Sequence, residues 1–142
     1  MADELSSVKT VVEILNDGAK GFADIGEQIQ DPTVKQFFVS ESSARTEFAR
    51  ELETAAGFSS DVGGTAAGTV HRTWADLKAK LGGGDHSLLE TAEQGEDAAK
   101  KAYKEALEDS DVTGEVRAVL QKQQSHIQAS HDKVKAFRDA RA

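Results

Sequence analysis

Residues 88–103 read LLETAEQGEDAAKKAY and combine an apolar helical stripe with one carboxylate on the same face. Ala92, Ala99 and Tyr103 follow each other at intervals of seven and four residues, which is typical of one side of an α-helix. Glu96 falls on that side, where the period predicts an apolar residue. Because a buried carboxylate needs a cation, a metal ion or several donors, the stretch indicates a metal site, a structural ion pair or a solvated helix face.

Upstream of this stretch the sequence predicts two long helices with almost no loop between them. Apolar residues recur in steps of three and four over residues 6–29 and again over 32–56. Asp31 is the expected N-cap of the second helix, and Pro32 follows in its first turn, where a missing N–H is tolerated. So short a connection requires antiparallel neighbours. A glutamate, Glu41, also interrupts the second stripe near its middle.

Three more helices are predicted downstream. A glycine-flanked amphipathic segment predicts a short helix over 65–81, and longer helices follow over 87–108 and 114–139. Ser87 and Glu90 have the spacing of a capping box at the start of the first long one. Two antiparallel hairpins joined by a crossover form the ferritin-like arrangement. We therefore predict an all-α, ferritin-like four-helix bundle with a short extra helix between the second and third long helices.

Composition narrows the class of protein. The chain, residues 1–142, is long enough for a single domain with a continuous core, and it has no apolar run of the length that crosses a bilayer. Its formal net charge of −8 argues against a general nucleic-acid binder, which needs a concentrated basic surface. It has no cysteine, which excludes disulfides and thiolate metal sites. The polar start lacks the apolar segment of a secretory signal, so we expect a cytoplasmic protein.

Four separated motifs carry a resemblance to a known family. They read NDGAKGF (16–22), HRTWADLKAKLGGGD (71–85), LETAEQGEDAAKKAYKEAL (89–107) and HDKVKAFRD (131–139). Together they resemble a bacterial family of ferritin-like four-helix-bundle proteins that is catalogued as a domain of unknown function. The resemblance implies the fold and brings no established activity. Its matching positions are Asp17, Gly18, Phe22, His71, Arg72, Trp74, Glu93, Gly95, Glu96, Asp97, Tyr103, His131 and Asp132.

A carboxylate-bridged di-iron centre is the first chemical hypothesis for a bundle of this kind. It requires a glutamate from each of two helices and a Glu-x-x-His motif from each of the other two. None of the four histidines has glutamate three residues before it, since those positions hold Gly68, Gly83, Gln123 and Gln128. The sequence therefore lacks both Glu-x-x-His motifs and does not contain the complete ligand set of a di-iron centre.

One interpretation of the mid-bundle carboxylates is a structural polar layer. Glu41 can pair with Arg45 one turn along its helix, and Glu96 can accept from donors of the last helix. Buried polar groups usually satisfy each other, and side-chain donors are abundant in this sequence, so we favour this interpretation. Besides the two glutamates, the predicted layer contains Arg45, Glu93, Gln123 and Gln124, with His131 as a further donor.

The alternative interpretation is a metal site of reduced composition. Glu41, Glu96 and His131, or His126 in place of His131, would offer two carboxylates and one imidazole to iron, manganese or zinc. Such a site would make the protein a metal-binding or metal-dependent oxidase-like protein.

The predicted function follows from the missing catalytic set and the family resemblance. We expect a small, non-enzymatic interaction or stress-associated protein that needs no cofactor. The expected partner is another protein, a second copy of this chain included, rather than nucleic acid or a membrane. In the short helix, His71 and Trp74 are expected to anchor the crossover.

Overall fold

The computed structural model describes residues 5–58 and 84–140, and this part of the chain is all-helical. Its elements are α1 (Ser6–Gln28), α2 (Pro32–Ala56), α3 (Gly84–Glu108) and α4 (Gly114–Asp139). The prediction of four long helices in an all-α fold is thereby confirmed. None of these described helices has both the length and the apolar composition that crossing a membrane would require.

The short helix predicted over 65–81 lies outside the described residues. The same holds for its two expected anchors, His71 and Trp74.

The α1–α2 hairpin is closed by the turn that the sequence predicted. The Asp31 carboxylate accepts hydrogen bonds from the backbone N–H groups of Thr33 and Val34, at 2.9 and 3.2 Å, and Pro32 is the first helical residue. The cap satisfies two of the N–H groups that a helix start leaves without an intrahelical acceptor. Because only three residues separate the helices, α2 runs back along α1.

The start of α3 is fixed by a different device from the predicted one. The helix begins at Gly84, so Ser87 lies inside its first turn and the predicted capping box is wrong. Asp85 instead accepts from the backbone N–H groups of Gln30 and Asp31, at 2.8 and 3.1 Å. The α1–α2 turn therefore holds the beginning of α3. The sequence around Asp85 does not predict this contact, because its partners lie more than fifty residues earlier in the chain.

The α3–α4 connection is also tied back to the bundle. Asp109 accepts hydrogen bonds from the Ser7 hydroxyl at 2.8 Å and from the Asp111 N–H at 2.9 Å. Arg117 donates to the carbonyl of Leu107 at 2.9 Å, a favourable place for a cation because helix C-termini carry partial negative charge. These contacts hold α4 antiparallel to α3.

The helices pack as a four-helix bundle with two apolar regions. In the described part of the chain, α1 packs on α2 and α3, and α4 packs on the same two helices. One apolar cluster contains Val12, Leu15, Leu52, Tyr103 and Leu120, and the other contains Phe22, Ile25, Phe38, Leu89 and Val134. On α2, α3 and α4, buried polar residues fall between the residues of these two clusters: Glu41 and Arg45, Glu96, and Ser130.

We expect Asp31→Ala to lower the free energy of unfolding by about 1 kcal/mol, because two N–H groups at the start of α2 lose their acceptor. Urea unfolding followed by circular dichroism measures this loss. Asp111→Ala removes a carboxylate from an exposed connection and serves as the control, with an expected change within about 0.5 kcal/mol. Equal losses in the two variants would contradict the role of the cap.

Candidate functional site

The middle of the bundle contains a buried set of charged and hydroxyl side chains from three helices. Glu41 and Arg45 lie one turn apart on α2, Glu96 lies on α3, and Ser130 lies on α4. Their exposed fractions are 7% for Glu41, 2% for Arg45, 0% for Glu96 and 4% for Ser130. We call these four residues the arginine layer.

The guanidinium of Arg45 is the centre of the arginine layer. Its Nη2 donates to Glu41 Oε1 at 3.3 Å, to Ser130 Oγ at 3.1 Å and to Glu96 Oε1. The Ser130 hydroxyl in turn donates to the second oxygen of Glu96, Oε2, at 2.6 Å. Both oxygens of the fully buried Glu96 are therefore satisfied, one by a cation and the other by a hydroxyl.

Helix α1 supplies the apolar walls for this cation. The Cζ atom of Arg45 lies 4.3 Å from the ring centroid of Phe22, a cation–π contact. One turn away, a Cβ atom built on Gly18 would lie 3.5 Å from Arg45 Cδ, so a side chain longer than alanine would meet the arginine. The Nε atom of Arg45 has no hydrogen-bond partner among the described residues. The small residue and the ring thus shape the space that the guanidinium occupies.

The arginine layer contains two carboxylates for one guanidinium, and burial shifts the pKa of one of these carboxylates, Glu96. Burial raises the pKa of Glu96, and the nearby charge of Glu41 raises it further, while Arg45 and the hydrogen bond from Ser130 lower it by less. The charged form of Glu96 is therefore harder to keep in the fold than in water.

His126 connects the layer to the surface. Its Nε2 atom lies 2.9 Å from Glu41 Oε2 and 3.1 Å from Oε1, and its side chain is 41% exposed. Glu41 thus has the buried arginine on one side and a half-exposed imidazole on the other. From the sequence, His126 was expected only as an alternative metal ligand to His131.

His131 lies with other carboxylates. Its Nε2 is 3.0 Å from Asp97 and 3.7 Å from Glu93, and its Nδ1 is 3.3 Å from Asp132. Glu93 is also paired with Arg138 of α4. The structure therefore brings Glu41 and Glu96 onto one guanidinium and places His131 in a separate cluster at the edge of α3 and α4.

The two glutamines of the predicted layer also occupy different places. Gln123 accepts from the Tyr103 hydroxyl at 2.8 Å and donates to Glu51 at 2.8 Å and to the carbonyl of Phe48 at 3.2 Å. Burial raises the pKa of the Tyr103 hydroxyl, so this group remains a neutral donor. Gln124 is partly exposed beside a surface groove. Glu96 accepts from Arg45 and Ser130 rather than from either glutamine or His131.

Sequence reasoning missed three contributors to the layer. Ser130 was assigned no role, and Gly18 and Phe22 were identified only as positions of the family resemblance, without their contact to Arg45. The available signal for Ser130 was its position three residues after Ile127 and four before Val134, which places a hydroxyl on the core face.

The chemistry available to the layer is that of a paired charge. An arginine guanidinium stays protonated in proteins, so it binds and orients carboxylates but does not exchange protons with them. Within residues 5–58 and 84–140, no group of three or more histidine, aspartate and glutamate residues has a geometry that could hold a metal ion.

We expect Arg45→Leu to lower the free energy of unfolding by about 3–5 kcal/mol, because it leaves the buried carboxylates of Glu41 and Glu96 without their cation. Urea unfolding measures the loss. Arg50→Leu, which makes the same change at an exposed position of α2, should change stability by about 0.5 kcal/mol or less. A loss below about 1 kcal/mol in Arg45→Leu would contradict the central role of this residue.

Glu96→Gln should change the pH dependence of stability. Burial raises the pKa of Glu96 on folding, so the native state holds more protons than the unfolded state between pH 4.5, the ordinary value of this group, and the folded pKa. The corresponding stability is present below that pH and is lost as pH rises through the folded pKa. Thermal or urea unfolding from pH 4.5 to 7.5 should show a decline in the wild type that is weaker in Glu96→Gln. Exposed Glu47→Gln is the control, and an unchanged slope in Glu96→Gln would refute the assignment.

A model of a known protein family matches the part of the chain that forms the first three helices. A family model described as a domain of unknown function, DUF2383, covers residues 3–109. This range includes α1, α2 and α3 with Glu41, Arg45 and Glu96, whereas Ser130 lies beyond it. No curated protein matches the sequence. The chain belongs to the DUF2383 family.

Proposed function

We propose that this protein is a small, non-enzymatic interaction protein with a ferritin-like bundle, in which the arginine layer is structural. The observation that carries the proposal is the position of Arg45 between Glu41 and Glu96. A cationic side chain of the protein itself occupies the place between two carboxylates where a metal-dependent bundle would need its ion. A cytoplasmic location and an association with stress responses belong to the same proposal.

The contacts of Arg45 support a structural role for the layer. The guanidinium is almost completely buried, stacks on Phe22 and pairs with carboxylates from two helices. Moving it out would expose Glu41 and Glu96 to each other, leaving the buried Glu96 without a cation and Glu41 with only the half-exposed His126, which is strongly unfavourable. A site that opens and closes around a substrate would have to overcome this cost in every cycle.

A metal-binding or oxidase-like role is the second candidate. The favourable observation is that Glu41 and Glu96, from different helices, converge on one cationic group, and that His126 touches Glu41. Carboxylate and imidazole groups suit iron(II), manganese or zinc. This role requires Arg45 to leave the layer, and it uses His126 rather than His131.

Metal content and metal-induced stabilisation separate the two roles. We expect protein purified without chelator to contain substoichiometric metal by elemental analysis. Its thermal midpoint should barely move with iron(II), manganese or zinc. A metal that binds the fold at 100 times its dissociation constant would instead stabilise it by about 2.7 kcal/mol. Unfolding melts with and without each metal supply the measurement.

Glu96→Gln is the discriminating variant for this experiment. Near-stoichiometric metal in the wild type that disappears in Glu96→Gln would overturn the structural role and favour the metal-dependent one. An exposed glutamate on the same bundle, Glu47, provides the matched control as Glu47→Gln.

A further inference from the structure

A groove between α3 and α4 is basic on one side and polar on the other. It is lined by Lys100, Lys101 and Lys104 of α3 and by Gln124, Ser125 and Gln128 of α4. The three lysines are the only lysine or arginine residues of α3 and fall within five consecutive positions. The chain has a net charge of −8, so these lysines form a local cluster of positive charge on an acidic protein.

No described carboxylate lies within contact distance of these lysines, but the charge of Lys100 adds to the hydrogen bonds from His131 and Gln128 that lower the pKa of Asp132 on α4. The acidic residues one turn earlier on α3 are Glu96, which is held in the arginine layer, and Asp97, which lies 3.0 Å from His131. Lys100 and Lys104 are themselves one turn apart, and like charges at this spacing destabilise a helix. Glu105 and Glu108 follow Lys101 and Lys104 by one turn, but all four side chains are exposed, so pairing within α3 contributes little to its stability.

The donors of the groove define the chemistry of its ligand. The lysine ammonium groups are hydrogen-bond donors, whereas the Ser125 hydroxyl already donates to the Gln121 carbonyl at 3.4 Å and Gln128 already donates to Asp132 at 3.0 Å. Lys100 and Lys104 present two positive charges along the helix at the spacing of one turn. Carboxylates four residues apart on a partner helix have the same spacing.

We propose that this groove binds an acidic helical segment of a partner protein. The proposal rests on the proposed interaction function and names the partner's chemistry. Two lysines one turn apart match an i, i+4 pair of acidic residues, and the third lysine together with the α4 side chains contacts the flanking acceptors. This is the helix-in-groove mode of recognition with charge in place of an apolar anchor.

Two other partners fit these observations less well. A two-fold dimer through this groove would bring the same three lysines of both copies together, because symmetric interfaces use one surface patch twice. A nucleic acid would be repelled by the net charge of −8, and the groove has only three ammonium groups to attract it. The residues that line the groove also include neither an arginine nor an aromatic ring that could stack on a base.

The test measures binding of an alanine-based helical peptide that has glutamate at every fourth position and a fluorescent label. Fluorescence anisotropy is recorded with the full chain at about 20 mM and about 300 mM salt, since salt screens exposed charges. The groove variant carries Lys100→Gln, Lys101→Gln and Lys104→Gln. The matched control carries Lys20→Gln, Lys133→Gln and Lys135→Gln, the same charge change at exposed positions outside the groove.

We expect saturable binding at low salt that weakens at high salt. The groove variant should raise the dissociation constant at least about tenfold, and the control variant less than about threefold. Circular dichroism checks that both variants fold. Absence of saturable binding, equal weakening in both variants, or tighter binding of a single-stranded oligonucleotide with the peptide's net charge would each overturn the proposal. These outcomes are independent of metal content, so the groove can fail while the proposed function stands.

Discussion

The buried guanidinium of Arg45 is the constraint on which the middle of this bundle depends. A charge in a protein interior must be paired, because its hydration is lost on folding and an uncompensated ion costs several kcal/mol. Here one cation meets Glu41 from its own helix and Glu96 from α3, while Ser130 of α4 completes the hydrogen bonds of Glu96. Three helices are thereby fixed in rotation and in height relative to each other.

The neighbouring features follow from the size and charge of that one group. Gly18 leaves room beside the arginine stem, and the Phe22 ring covers its charged face. Above and below, the core returns to aliphatic and aromatic side chains, including the edge-to-face pair Phe22–Phe38 at 5.0 Å. Buried ion pairs contribute little net stability compared with well-packed apolar residues, so the layer chiefly specifies register. A shift of one turn would place an unpaired charge against an apolar cluster.

A carboxylate-rich bundle can be organised around a metal ion or around a side-chain cation. The described part of this chain follows the second course, with further ion pairs from Arg138 to Glu93 and from Lys122 to Glu51. The contacts of Glu96 and Asp97 also affect the lysines that lie one turn later on α3. Because Glu96 and Asp97 contact Arg45 and His131, they do not pair with Lys100 and Lys101, which follow them by one turn on α3.

The sequence by itself determined the all-helical class, the family and the α1–α2 hairpin, because stripe periodicity and the Asp31–Pro32 start are local properties of the chain. It also placed Glu41 and Glu96 on inward faces and gave Arg45 as the partner of Glu41 at one-turn spacing. Only the tertiary structure decided that Glu96 contacts the same guanidinium, that Ser130 joins it, and that Asp85 ties α3 to the first turn. Those contacts join residues more than thirty positions apart. They depend on how the helices rotate against each other, and a periodic pattern records which face is buried but not which residue lies opposite.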